Sequence, residues 1–389
     1  MTFTDEAALR ALVPEVLTAL LRRGVDFTAA EDAVQDALLK ALERWPTGAP
    51  DDPRAWLITV AWRSFLDRVR ADSARRAREE RVAAEPPPGA VPTEDETLAL
   101  YFLCAHPALS PSSAVALTLR AVAGLTTRQI AAAYLVPEAT MAQRISRAKR
   151  TVAEVGFGAA SRPGNLGAVM AVLYLMFNEG YSGEVDVAAE AIRLARRLAA
   201  VTRDPEAEGL LALMLLHHAR RAARTDEHGG LVPLAEQDRC RWDTALISEG
   251  VTILQRALAR DRVGRYQAQA AIAALHADAP TFEETDWVRI AEWYDELLRH
   301  ADTPVVRLNR AVAIGEADGP LAGLAALADV PEDVPRRSAV AAYLHERNGD
   351  LELAARLYAH AARHAPNLAE RNHQARQAAR VNALLAERG

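Results

Sequence analysis

Between Ala139 and Thr151 the chain carries four cationic side chains, Arg144, Arg147, Lys149 and Arg150, and no acid. Cations gathered on so short a stretch neutralise phosphate oxygens, and the accompanying Thr140 and Gln143 can reach base edges. A second basic island spans residues 62–81, with seven arginines against four acids. There Trp62, Arg63, Phe65 and Arg68 interleave rings with guanidinium groups. That mixture suits single-stranded nucleic acid, because bases stack on rings while cations hold the backbone. A third set is polar: Asp32, Gln35 and Asp36 recur at helical spacing beside apolar Val34 and Leu38. Alone, it reads as the outer stripe of an amphipathic helix.

Each set needs an element to position it. Residues 125–150 read as two short helices joined by a tight turn. Ile130 and Ala131 are expected to face inward, against Met141 and Ile145 on the second helix. Thr140, Gln143, Arg144 and Arg147 then fall on or near the other face, as in a helix-turn-helix. An ordinary helical hairpin with a solvated basic face fits the same residues. Residues 7–45 suggest two helices parted near Gly24-Val25-Asp26. A helix from about Arg54 to Arg81 follows the loop TGAPDDP, with Asp52 as its N-cap and Pro53 in its first turn. The run AAEPPPGAVPT at 83–93 cannot continue a helix and reads as an extended linker. Helical periodicity resumes from Glu94 to Val155, and a softer break falls at 156–165.

Ala, Leu and Arg dominate, half the residues are hydrophobic and only 5% are aromatic. This composition favours helices, so an all-α fold is expected. The net charge is −6, but residues 1–155 hold 19 bases against 20 acids, and most of the excess acid follows them. Cys104 and Cys240 give no disulfide framework, so a reducing cytoplasm is expected. The N-terminus does not have the form of a signal peptide, and the longest apolar run, 168–177, is too short to span a bilayer.

The order L-T-T-x-x-I-A…V-P-E-A-T-M-A-x-R-I-x-R-A-K-R, from Leu125 to Arg150, resembles region 4 of the extracytoplasmic-function (ECF) RNA polymerase sigma factors. Leu135 replaces the usual turn glycine and Pro137 a common capping serine; a positive φ at Leu135 would carry strain. AEDAVQDALLKALERW, 30–45, resembles region 2.2, with Asp32, Gln35 and Asp36 at its D-x-x-Q-[ED] core. RAWLITVAWRSFLDRVR resembles regions 2.3 and 2.4 at Trp56-Leu57, Val60-Ala61, Asp67 and Arg70, while Arg63 replaces a frequent asparagine. The resemblance implies docking of Asp32, Gln35 and Asp36 on the β′ clamp helices of core polymerase, with the β flap as a second contact. It implies −35 recognition by Thr140, Gln143, Arg144, Arg147, Lys149 and Arg150. It also implies −10 recognition and melting by Trp62, Arg63, Phe65, Arg68 and Arg70, with 47–54 as the specificity loop and Trp56 in the core. Glu85 and Glu94-Asp95-Glu96, around the linker, could mimic nucleic acid in the polymerase channel.

VLYLMFNEGYSG (172–183), residues 210–243 and PVVRLNRAVA resemble an ECF sub-group with a long C-terminal helical domain like tetratricopeptide (TPR) repeats. Gly349, Ala354, Tyr358, Ala361 and Pro366 suit half of such a repeat, although Ser338 and His345 depart from it, and 304–327 reads as a weaker copy. The expected division is region 2 at 1–82, linker 83–95, region 4 at 96–156 and a regulatory domain at 157–389. Asn178, Glu179 and Tyr181 are candidates to fix the interface between region 4 and the extension. The loop with Arg224, Asp226, His228, Glu236, Gln237, Asp238 and Arg239 offers acids and a histidine but no nucleophile, and structural ion pairing accounts for it. His360 and His364 are spaced for zinc but have no third ligand nearby. No cofactor, metal or enzymatic activity is expected. The expected function is promoter-specific transcription initiation, modulated by the C-terminal domain through a protein or ligand. The alternative is a one-component helix-turn-helix regulator with a helical sensor domain, for which the region 2 motifs have no use.

Overall fold

The computed structural model describes residues 6–45, 48–76, 94–134, 136–155, 166–179, 186–226, 230, 232–365 and 368–388. Their regular structure is helical, with no strand among the described residues. Two compact units divide at Thr202 and Arg203. The expected boundary near 156–157 falls outside the described residues, and the first unit continues past it through two more helices.

The first unit opens with α1 (Glu6–Arg22), α2 (Phe27–Arg44) and α3 (Pro53–Arg76), which pack on one another. Asp26 starts α2 by accepting from the Thr28 and Ala29 amides at 3.1 and 3.0 Å. Asp52 caps α3 by accepting from the Ala55 amide at 2.9 Å, and Pro53 supplies the first turn. Ala30, Ala33, Val34, Ala37 and Ala41 form the buried stripe of α2, against Leu57, Ile58 and Ala61 of α3. Small alanines along this seam let two helices approach closely. Trp56 is half-buried, edge-on to buried Trp45 at 5.5 Å.

Next come α4 (Glu94–Cys104), α5 (Pro111–Ala121), α6 (Thr127–Ala133) and α7 (Glu138–Val155). Ser110-Pro111 begins α5 with the same cap-then-proline device. Gly124, at φ +71°, takes the left-handed turn into α6. A capping box then fixes where α6 starts: the Gln129 amide donates to Thr126 Oγ1 at 3.2 Å, and the Thr126 amide to Gln129 Oε1 at 2.9 Å. Helices α8 (Leu166–Glu179) and α9 (Val187–Thr202) complete the unit, α8 against α4 and α5, α9 against α8 and α4. Arg197 of α9 reaches α1, donating to the Ala11 carbonyl at 3.3 Å and pairing with Glu15 at 2.6 Å. Asn178 is exposed on α8; the Glu179 side chain, Tyr181, Leu135 and residues 83–93 of the expected linker lie outside the described residues, while its last two, Glu94 and Asp95, already belong to α4.

The second unit runs α10 (Pro205–Ala219), α11 (Thr244–Leu258), α12 (Arg265–Asp278), α13 (Trp287–His300), α14 (Pro304–Ala317), α15 (Pro320–Leu327), α16 (Arg337–Arg347), α17 (Leu351–His364) and α18 (Leu368–Arg388). From α10 onward, each helix packs on the next in chain order. Ala354 and Tyr358 are buried, but Ala361 is only half-buried and Ala362 takes the inner place beside them. The Tyr358 hydroxyl donates to Glu346 at 3.0 Å. Pro366 lies outside the described residues. Helices α14 and α15 cross where Gly323 faces Gly315: a Cβ on Gly323 would stand 2.7 Å from the Gly315 Cα. Two glycines are what allow that separation.

Candidate nucleic-acid interface

Met141, Ile145, Ala148 and Val152 form the buried stripe of α7, and Ile130 and Ala131 of α6 are buried with them. This three- and four-residue spacing aims the opposite face outward. Thr140, Ala142, Gln143, Ser146, Arg147 and Arg150 are exposed, and Arg144 is half-buried. Ala142, Gln143, Ser146, Arg147 and Arg150 line a shallow open concavity of about 590 Å3. The result is a helix face with two fully presented guanidinium groups and an amide.

Lys149 behaves differently. Only 17% of its side chain is exposed; its ammonium pairs with Glu31 of α2 and lies 5.9 Å from the centre of the Phe27 ring. Glu31 also pairs with Arg120 of α5, whose Nη1 donates to the Leu125 carbonyl at 2.9 Å. Position 149 falls between the exposed face and the buried stripe, so a long side chain there turns inward when a carboxylate waits.

On α3, the Trp62 and Phe65 rings meet at 5.5 Å, and Arg23, in the turn after α1, stacks over Trp62 at 4.9 Å. Both rings are half-buried and Arg63 is exposed. Arg68 does not stand with them. Its Nη1 pairs with Asp32 at 2.9 Å and its Nη2 with Asp36 at 2.7 Å, which ties a residue expected at DNA to two expected at polymerase. The Arg70 side chain is outside the described residues. In the loop 47–54, Thr47 also lies outside them.

The outer face of α2 carries more than its polar residues. Beyond Asp32, Gln35 and Asp36 stand Leu39 and Leu42, 59% and 50% exposed. Sequence reasoning missed both, although the signal was there: neither falls on the stripe of alanines and Val34 that packs the helix. Glu31 and Arg120 were missed because nothing local in sequence links residues 89 apart.

The charged loop of the second unit is tied down locally. Asp226 accepts from the Gly230 amide at 2.6 Å, Asp238 from the Cys240 amide at 3.0 Å, and Gln237 donates to the Val232 carbonyl at 3.1 Å. Arg239 donates to the His276 and Ala279 carbonyls at 2.5 and 2.7 Å and stacks on Trp242 at 4.6 Å. Burial, reinforced by Arg220 and Arg224, pushes the His217 imidazole down to about 3. Burial, with Arg220 and Arg239, pushes His276 to about 4. His228 is outside the described residues. The His360 and His364 rings stand 4.2 Å apart. Among the described residues, no group of three or more His, Cys, Asp or Glu could hold a metal ion, and no helix is long and apolar enough to cross a membrane.

Residues 8–75 match the family Sigma-70 region 2, and residues 99–152 match Sigma-70, region 4. Over 166 residues the chain is 32% identical to the "Probable ECF RNA polymerase sigma factor SigI" of Mycobacterium tuberculosis (strains CDC 1551 / Oshkosh and ATCC 25618 / H37Rv). The chain carries the region 2 and region 4 domains of the sigma-70 factors and is homologous to an extracytoplasmic-function sigma factor. That alignment covers 40% of this chain and 57% of its relative. The remainder is also shared: an uncharacterized protein of Rhizobium meliloti (strain 1021) is 44% identical over 345 residues, 82% of this sigma factor and 81% of that protein. Residues 165–258 match a family of unknown function (DUF6596), a stretch running from α8 through α11. No solved structure matches the chain.

Proposed function

We infer that this sigma factor directs RNA polymerase to promoters with its two nucleic-acid faces, and that the helices after region 4 set its activity. The presence in one chain of the region 2 helices and of α7, with Gln143, Arg147 and Arg150 turned outward, carries this reading. A one-component repressor has no use for the exposed Asp32–Leu42 face of α2. On this reading Asp32, Gln35 and Asp36, extended by Leu39 and Leu42, dock on the β′ clamp helices, and the β flap holds region 4. Thr140, Gln143, Arg144, Arg147 and Arg150 read the −35 element. Trp62, Arg63, Phe65 and Arg70 meet the opened −10 strand, with Arg68 holding the docking carboxylates. The chemistry is the polymerase's; the sigma factor supplies position and binding energy and no catalytic group.

The extension has two parts. Helices α8 and α9 pack on α4 and α5 and reach α1 through Arg197, so they are proposed to be required. The unit from Arg203, TPR-like in its sequential packing, is proposed to receive a protein or ligand signal in the cytoplasm. Run-off transcription with purified core polymerase tests both. The full chain should support initiation on a subset of genomic promoters. Ending the chain at Thr202 should change the yield, and ending it at Val155 should abolish it. Failure of the full chain to initiate anywhere would overturn the sigma reading.

A further inference from the structure

Spacing on α3 puts Arg68 beside the Trp62 and Phe65 rings, yet that side chain pairs with Asp32 and Asp36 instead. The cation that does lie on the rings comes from another element. Arg23 sets its guanidinium carbon 4.9 Å from the centre of the Trp62 ring, and Phe65 meets the same ring at 5.5 Å.

The backbone fixes where Arg23 stands. Helix α1 closes in a Schellman turn: the Gly24 amide donates to the Leu21 carbonyl at 3.1 Å, and the Val25 amide to the Leu20 carbonyl at 3.3 Å. Gly24 takes the left-handed conformation that such a turn requires, at φ +81°. Leu20, Leu21 and Val25 are buried on either side, so the chain at Arg23 is clamped. A cation here also suits the negative end of α1, but that role asks only for a hydrated side chain, which exposed Arg22 already supplies. Arg23 is instead half-buried against an aromatic ring, and burial lowers its pKa from the usual guanidinium value. It stays charged, and with part of its water removed it gains more from an anion than a fully hydrated cation does.

We propose that Arg23 is a phosphate contact of the opened −10 strand, completing with Trp62, Arg63 and Phe65 the face that holds it. This rests on the reading of α3 as the element that meets that strand. A guanidinium lying over a ring keeps its N–H groups in its own plane, at the rim of the stack, where they can take a phosphate. The indole face under Arg23 is then occupied, which leaves Phe65 as the stacking surface for a base. Arg63, exposed beside Trp62, supplies the second cation. Charge thus comes from two elements that pack on one another, the turn after α1 and α3, so the strand is held across their seam and not along one helix.

The test uses holoenzyme assembled from core polymerase and the full chain. The probe is a labelled fork-junction DNA, built from a promoter on which the parent initiates, with the −10 nontemplate strand left single. Each phosphate neutralised on a single strand adds about 0.7 to the slope of log K against log salt. Arg23→Gln should therefore lower that slope by about 0.7. Between about 50 and 200 mM salt the parent should then lose roughly 2.6-fold more affinity than the variant. Arg23→Lys should restore the slope, because the charge returns. The slope for a −35 duplex should match the parent's in both variants. A residue that only shapes the turn would weaken fork binding with the slope unmoved, and that outcome overturns the proposal. An equal fall in the −35 slope overturns it too, since the loss is then not of a −10 contact. Folding is followed by thermal melting, and Arg23→Met serves as a second neutral variant if Arg23→Gln does not fold. Run-off transcription by the parent keeps the two ideas apart. No initiation on any promoter sinks the sigma reading and this contact with it, while initiation with an unchanged Arg23→Gln slope sinks the contact alone.

Discussion

Removing Arg147 and Arg150 together should change how promoter binding depends on salt. Both lie on the exposed face of α7 and line its concavity, so each is placed to neutralise one phosphate. Each phosphate neutralised on B-DNA adds about 0.9 to the slope of log K against log salt, so the double alanine variant should lose about 1.8. Between about 50 and 200 mM salt, the parent should therefore lose roughly twelvefold more affinity than the variant. The measurement is anisotropy of a labelled −35 duplex titrated with assembled holoenzyme at four salt concentrations, with the folded state followed by thermal melting. Gln143→Ala is the companion: an amide reading a base edge changes which sequence is preferred and leaves the slope alone. A double variant with the parent's slope would refute the assignment of these arginines to phosphate. A Gln143→Ala chain with a reduced slope would refute the division of labour.

Leu39→Ala with Leu42→Ala should leave the melting temperature unchanged, because both side chains are already half in water. Covering the remainder is worth ~1 kcal/mol each, so affinity for core polymerase, by titration calorimetry, should fall about 10- to 30-fold. An unchanged affinity removes these leucines from the docking face. Gly323→Ala places a methyl 2.7 Å from the Gly315 Cα and 2.9 Å from the Ala311 carbonyl, so α14 and α15 must separate, at about 1–3 kcal/mol in urea unfolding of the full chain. No loss would mean the helices yield freely. His217 and His276 have folded pKa values below the unfolded one, so the unfolded chain binds more protons and acid destabilises. The loss begins as pH falls through about 6.5 and continues to about 4 for His276 and about 3 for His217, with a slope of up to ~1.4 kcal/mol per pH unit for each. His217→Leu should remove about one proton from that slope, and an unaltered slope would contradict its neutral burial.

The helices and their ends were legible because the signals are local. Ser110-Pro111, Asp204-Pro205 and Thr303-Pro304 each put a capping oxygen and a fixed φ at a helix start, as Asp52-Pro53 does. The spacing of Ile130, Ala131, Met141 and Ile145 determined which side of α7 packs, and hence that Gln143 and Arg147 face outward. The length and order of the two sigma motifs were enough to point to the family.

Only the tertiary structure decided which charges face each other. Lys149 looks identical to Arg150 in sequence, yet one is turned to a carboxylate and the other to solvent. Arg68 reads as a phosphate contact until Asp32 and Asp36 prove to lie within 3 Å of it. The first compact unit likewise runs to Thr202, past the composition break near 156–165, because Arg197 and the apolar faces of α8 and α9 find partners far back in the chain. Helical periodicity fixes a side chain's direction from its own axis. What stands in that direction depends on loop closure and helix packing, which no local pattern encodes.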